Sequence, residues 1–197
     1  MGCGGHALSC ISVVEEVGLI KIQGLIGLQS EVGLNINGYK VVGTDEDLDK
    51  LKLITDSVFL GIGQIKSAEI RRKIFNLYSA KGFNFPPLIS TKTAISRDVH
   101  IGEGSQIMRG VIMNSGVEIG KNTILNTGAI IEHGVKVAEH CHVSTGSILN
   151  GGVRVGSGTF IGSNTVVREN VRIGQNCVIG MGISIRHDVK DCEVVLQ

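Results

Sequence analysis

The chain is 197 residues long, with 19 Lys and Arg against 18 Asp and Glu and a formal net charge of +1 at pH 7. That balance leaves no electrostatic footprint for nucleic acid or an anionic membrane, and no apolar run approaches the roughly 20 residues that a spanning helix needs. Five Cys without a CxxC spacing argue against a zinc ribbon or a disulfide framework and point to a reducing, cytoplasmic compartment.

With 28 Gly, two Pro and no Trp, the chain is rich in turns and poor in bulky core side chains. Residues 1–85 alternate strand and helix signals and predict a small open α/β (Rossmann-like) domain. The opening "GCGGHA" fits G-x-G-x-x-A, a turn that lets phosphate oxygens approach backbone N–H groups at a helix N-terminus. By itself this motif suits a dinucleotide as well as a sugar nucleotide, and such turns also arise for packing alone. A turn of this type normally follows a strand, yet Met1 stands where that strand should end; either the chain begins late or the first strand lies outside this sequence. A first helix is predicted over roughly residues 6–17, strands in "KIQGLIGL" and "DSVFLGIG", and a helix from Thr44, where "TDED" resembles a capping box. In "SAEIRRKIFNLYSAKG" a further helix is expected, with Ser67 as N-cap, Ile70, Ile74 and Leu77 on one face and Gly82 as the stop. Pro86 and Pro87 in "NFPPLIS" suit a connector to a second domain, residues 86–197.

From Ile95 to Ile185 every sixth residue is aliphatic or Met. Four residues after each of these markers stands a small or β-branched residue, from Val99 through Ser105, Thr123 and Cys141 to Val189. Gly often follows the marker directly, as at Gly102, Gly120 and Gly162. A period of six predicts a parallel β-helix, in which each hexad supplies one strand and one corner and three hexads close a coil. Residues eighteen apart then stack at the ~4.8 Å strand spacing. Large residues fill the prism and small ones its corners, while Gly is expected for backbone conformations that other residues resist. The period does not give the hand of the winding. Cys141 and Cys177 fall in the small inward column and read as core fillers, so no acyl-enzyme is expected.

The stretch "IIEHGVKVAEHCHVSTG" gathers His133, His140 and His142. Taken with "GCGGHA", the "GIG" before "EIRRKIF", "ILNTGAIIEHGVKV" and "HCHVSTGSILNGGVRVG", the chain resembles the sugar O- and N-acetyltransferases of the sialic-acid and bacillosamine pathways over nearly its whole length. The resemblance implies a left-handed β-helix, an N-terminal nucleotide-sugar-binding domain, a homotrimer and acetyl-CoA as acetyl donor. It implies His133 as general base, a task that suits imidazole because its ordinary pKa of about 6.5 leaves much of it neutral near pH 7. His142, Gly151, Ser163, Gly180 and Met181 are implied at the cofactor, and Asn126 and Thr127 at the substrate. Gly2, Gly4, Gly5 and His6, with Gly61, Ile62 and Gly63, are implied along the diphosphate or sugar of the nucleotide sugar. The implied reaction is direct acetylation of an amino group, at C4, on a nucleotide-linked amino-deoxy sugar for a bacterial surface glycan. O-Acetylation of a sialic acid or related nonulosonate and a noncatalytic β-helix scaffold are the alternatives. Zinc held by the three histidines would resemble γ-class carbonic anhydrases, but the ligand spacing of that class is not evident, and no metal is expected. Two positions depart from the resemblance: Gly134 stands where relatives often have Asp or Glu, and Gly27 and Leu28 stand where they commonly show Asp near the nucleoside. His100, His140 and His187 read as solvated surface residues.

Overall fold

The structure is a computed structural model that describes residues 3–196; Gly2, one of the expected sugar-nucleotide contacts, lies outside them. Helix α1 (Gly5–Val17) forms where the sequence predicts and is closed by Gly18, which takes the left-handed region at φ 69°. Strands β1 (Leu25–Ile26), β2 (Asn35–Ile36) and β3 (Tyr39–Gly43) make one small sheet in the order β1-β3-β2, with β1 and β3 parallel.

Helix α2 (Leu48–Lys52) begins later than the sequence predicts. The Asp47 carboxylate accepts from the N–H and hydroxyl of Thr44 at 3.0 and 3.2 Å, so the capping pattern closes a turn ahead of the helix. Helix α3 (Glu69–Ala80) buries Arg71, Phe75 and Tyr78, and Ile70, on the aliphatic face that the sequence marks, is 67% exposed. The aromatic side chains decide this. Phe75 packs on Phe85 and Tyr78 on Phe83 with ring centroids 4.4 and 5.3 Å apart, and aromatic rings bring a large apolar surface to such a core. The expected N-cap Ser67 accepts from Glu69 N–H while Ala68 occupies the cap position. "DSVFLGIG" joins no sheet among the described residues; its single bridge pairs Ser57 with Asn84.

From Leu88 the backbone winds as a triangular prism of two-residue strands, β4 (Leu88–Ile89) through β21 (Val194–Val195), in parallel sheets of seven, six and five strands. It is a left-handed parallel β-helix. Leu125 pairs with Val143 and Ile131 with Leu149, the eighteen-residue stacking that the period implies. The markers from Ile107 to Ile185 form one continuous buried core. The small inward column carries a second duty. Hydroxyls of Ser105, Thr123, Ser147, Thr159 and Thr165 donate at 2.7–2.9 Å to carbonyls fifteen residues on, and Cys141 Sγ approaches Gly156 O at 3.1 Å. Buried carbonyls at the corners need such donors.

The glycines after the markers serve close packing rather than unusual dihedrals. A Cβ on Gly120 would stand 2.5 Å from the backbone N of Glu139 on the next coil. The left-handed corners fall three residues past the marker, at Gly116, Gly134 and Gly152 and equally at Asn122, Asn164, Asn170 and Asn176. Gly120→Ala is therefore expected to cost about 1–3 kcal/mol by overpacking. Gly134→Asn, in a corner type that Asn already serves, should change stability by less than about 1 kcal/mol. Urea melts of the two variants check the contrast.

Candidate active site

His133 stands two residues past the inward Ile131 of β11 (Ile130–Ile131), at the edge where the six-stranded sheet gives way to the five-stranded one at β12 (Lys136–Val137). Gly134 turns the backbone at φ 67°, which rounds the edge and leaves the imidazole exposed. The ring lies over Gly151 of the next coil: a Cβ there would come within 2.6 Å of Cε1 and Nε2. Among the described residues, no side chain or backbone group of this chain hydrogen-bonds the ring. The carboxylate of Glu132 is turned aside, accepting from Asn114 Nδ2 at 2.8 Å, so it does not orient the imidazole within one chain.

The neighbouring edge, between the seven- and six-stranded sheets, carries Asn126, Thr127, Ser163 and Met181. Asn126 Nδ2 donates to His142 Nε2 at 3.2 Å and its Oδ1 accepts from Thr127 N–H at 2.8 Å. Ser163 Oγ bonds Ser144 Oγ at 2.9 Å, and Met181 is 80% exposed. Gly180 lies within the coil, its carbonyl accepting from Thr165 at 2.7 Å. The residues expected at the cofactor are thus divided between two edges of one prism, Gly151 beside His133 on one and Ser163 and Met181 on the other.

His142 lies in the seam between the N-terminal unit and the β-helix, buried, with Nδ1 donating to Gln64 O at 2.6 Å and Nε2 accepting from Asn126. That network assigns the neutral Nδ1–H tautomer. His140 is not a surface residue, contrary to expectation. It is buried beneath α3 in the left-handed corner at φ 58°, its Nδ1 accepts from Asn122 Nδ2 at 2.9 Å, and its ring meets Phe75 edge-on at 5.7 Å. His100 and His187 are exposed as expected. His133 sits on a different edge from the other two histidines of its stretch, so the three do not converge. Burial pushes both His140 and His142 down to about 4.

The sign of the resulting pH dependence follows from these depressed values. Between about pH 4 and 6.5 the unfolded chain binds protons that the folded chain refuses, so stability is whole above about pH 6.5 and is lost as pH falls towards 4. Urea midpoints should drop between about pH 7.5 and 5, and His140→Gln should flatten that drop.

At the N-terminal unit, Gly4 caps α1 without a side-chain bond. Gly63 lies beside His6, a Cβ there falling 3.7 Å from His6 Cβ, and Gly27 lies against Cys3 and Glu31. The Gly-rich turn, the end of β1 and the "GIG" segment therefore meet at the N-terminus of α1. The ring of His6 turns towards the β-helix, where Nε2 bonds Gln106 Oε1 at 2.7 Å. Gln106 Nε2 in turn donates to Leu60 O at 2.6 Å. Arg71, 1% exposed, donates through Nη1 to Leu60 O and Ile62 O at 3.2 and 2.6 Å and through Nε to Asn122 O at 3.4 Å. It clamps the "GIG" segment to the β-helix. Sequence reasoning gave Arg71 no role, although its spacing with Phe75 and Tyr78 marks one helical face. Glu31 was missed as well: its Oε2 accepts from Leu28 N–H at 2.7 Å, placing a carboxylate at the loop where the expected Asp is absent.

The sequence pattern of the bacterial transferase hexapeptide (six repeats) matches residues 98–133 and 152–187, and that of the PglD N-terminal domain matches residues 1–78. A mutant of perosamine N-acetyltransferase from Caulobacter crescentus, solved with CoA and GDP-perosamine, superposes with a TM-score of 0.92 at 29% identity, covering 98% of this chain and 90% of that one. This chain belongs to the hexapeptide-repeat sugar acetyltransferase family. The acetyltransferase is also similar to the acetyltransferase domain of PglB from Neisseria gonorrhoeae, solved with acetyl coenzyme A, with a TM-score of 0.89 at 26% identity over 98% of this chain and 92% of that one. WeeI from Acinetobacter baumannii shares the fold, with a TM-score of 0.77 at 20% identity over 100% and 94% of the two chains. No curated protein matches the acetyltransferase significantly. Among the described residues, no helix is long and apolar enough to cross a membrane.

Proposed function

We propose that the enzyme transfers an acetyl group from acetyl-CoA to the C4 amino group of a nucleotide-linked amino-deoxy sugar, with His133 as general base. The observation that carries this reading is the exposed, unpartnered imidazole of His133 over the bare backbone of Gly151. His133 accepts the proton that the attacking amine sheds as the new C–N bond forms and the thioester C–S bond breaks, and then returns it to the departing thiolate. The nucleotide sugar's diphosphate fits the N-terminus of α1, where Gly4 and Gly5 leave the first N–H groups uncovered and Gly63 adjoins them. Glu31 is positioned to accept from a ribose hydroxyl. The Caulobacter and Neisseria proteins, solved with CoA and GDP-perosamine and with acetyl coenzyme A, support the choice of donor and acceptor.

A homotrimer completes the site. Between the His133 edge and the Thr127–Ser163–Met181 edge, the six-stranded sheet turns Ala94, Ile112, Ile130, Ile148 and Val166 outward, and Ile112 and Val166 are 39% and 37% exposed. A second copy seated on this stripe brings the unlike edges of two chains together around one acetyl donor, and a three-fold ring repeats the contact.

The test is to incubate the enzyme with acetyl-CoA and a panel of GDP- and UDP-linked 4-amino sugars, reading free thiol release and product mass. N-Acetylated product from one of these bears the reading out. Release with a hydroxyl acceptor alone, or with none of the panel, overturns it.

A further inference from the structure

Arg71 reaches from α3 into the seam between the N-terminal unit and the β-helix, 1% exposed and without a carboxylate partner among the described residues. Burial lowers it to about 10, so the guanidinium stays charged at neutral pH. The titratable groups that this charge reaches supply no counter-charge. Burial pushes the imidazoles of His6, His140 and His142 down and the thiol of Cys10 up to about 11, so all four are neutral near pH 7. What Arg71 does meet is backbone: the carbonyls of Leu60, Ile62 and Asn122, while Nη2 has no hydrogen-bond partner among the described residues. Carbonyl dipoles solvate a cation without neutralising it, and a buried charge left unpaired is costly.

The segment that Arg71 holds opens to solvent one residue on. Ile62 is half-buried and Gly63 exposed, beside His6 in the first turn of α1. A trans peptide carries its C=O and N–H on opposite sides. Drawing Ile62 O onto Arg71 Nη1 at 2.6 Å therefore turns the Gly63 N–H away from the buried guanidinium, and no acceptor among the described residues takes it. The first N–H groups of α1 lie alongside, since Gly4 caps the helix without a side-chain bond. Uncovered N–H groups backed by a buried cation suit a multiply charged anion, whereas a neutral nucleoside gains little from them.

We propose that Arg71 is a specificity-determining residue for the diphosphate of the nucleotide sugar. It fixes the Ile62–Gly63 peptide with its N–H outward and supplies from behind the positive charge that the phosphates complete. Arg71 touches no ligand itself and acts through the peptide it orients and through its field, which a site of low dielectric transmits well. The inference rests on the reading of the α1 N-terminus as the seat of the diphosphate.

The test is calorimetric titration of the parent chain, Arg71→Lys and Arg71→Gln with GDP, UDP, guanosine and uridine. The parent should bind one diphosphate about 10²-fold more tightly than its nucleoside. Arg71→Gln should cut that preference about tenfold or more with nucleoside affinity unchanged, and Arg71→Lys, which keeps the charge, should hold it within about threefold. A preference kept in Arg71→Gln would overturn this inference alone, and one lost equally in Arg71→Lys would reduce Arg71 to a structural clamp. No preference in the parent would overturn the reading of the α1 N-terminus along with it. Exchange of the Gly63 amide in the parent, followed by NMR, is a second measurement that needs no variant to fold. It should be fast in the free chain and slow about tenfold or more with the preferred diphosphate, because the N–H is then hydrogen-bonded. An amide already protected in the free chain, or one that the diphosphate leaves unchanged, would sink the proposal.

Discussion

His133→Ala is expected to lower acetyl transfer about 10²–10⁴-fold, the usual contribution of a positioned general base. Melting temperature should be unchanged, because the imidazole is exposed on the outside of the prism over Gly151, so truncation opens no core cavity. Binding of the nucleotide sugar, read as thermal stabilisation, should persist, since the N-terminus of α1 is untouched. Cys141→Ala is the companion control. The thiol is inward, and burial pushes it up to about 12, so it is protonated and shielded at neutral pH. Most activity should survive its loss. Full activity in His133→Ala, or inactivity in a folded Cys141→Ala, would reassign the chemistry.

Ile148→Asp is expected to dissociate the proposed trimer and, with it, to abolish turnover. Ile148 pairs with Ile130 on one side and Val166 on the other, at the middle of the outward stripe. In the proposed trimer a carboxylate there would meet the apolar surface of a neighbouring copy, at a cost of several kcal/mol per contact, or a loss of association of about 10²-fold or more. Within one chain the substitution faces outward and leaves the inward Leu149 in place, so the coil itself should persist. Light scattering should show trimers for the parent chain and monomers for the variant, and activity should fall although His133 is intact. A parent chain that is monomeric and active, or an Ile148→Asp variant that remains trimeric, would remove the argument for a shared site.

The contrast between these two substitutions shows where the sequence was legible. The six-residue period assigns inward and outward positions residue by residue, and Ile131, Leu149 and Cys141 all lie where it puts them. Each coil is built from contacts between residues eighteen apart, a regular interval that a linear pattern records. The outward residues follow no such rule. Gln106, Ile124 and His142 occupy the same outward column, and all three are buried because the N-terminal unit covers their sheet. His140 reads as a polar surface residue until α3 is laid over it. The face that α3 buries could not be settled by counting aliphatic residues, because Phe75 and Tyr78 find aromatic partners beyond the end of the helix.

By itself, then, the amino-acid sequence determined the β-helix, its inward columns, the exposure of His133 and the Gly-rich start of α1, since each depends on a short-range repeat or turn preference. Tertiary structure alone decided that Arg71 and Gln106 clamp the "GIG" segment, that His140 and His142 are held neutral in a seam, and that the expected cofactor residues stand on two separate edges. These outcomes depend on which outward face the N-terminal unit covers. That choice is made by contacts across about a hundred residues, such as His6 with Gln106, and leaves no periodic trace along the chain.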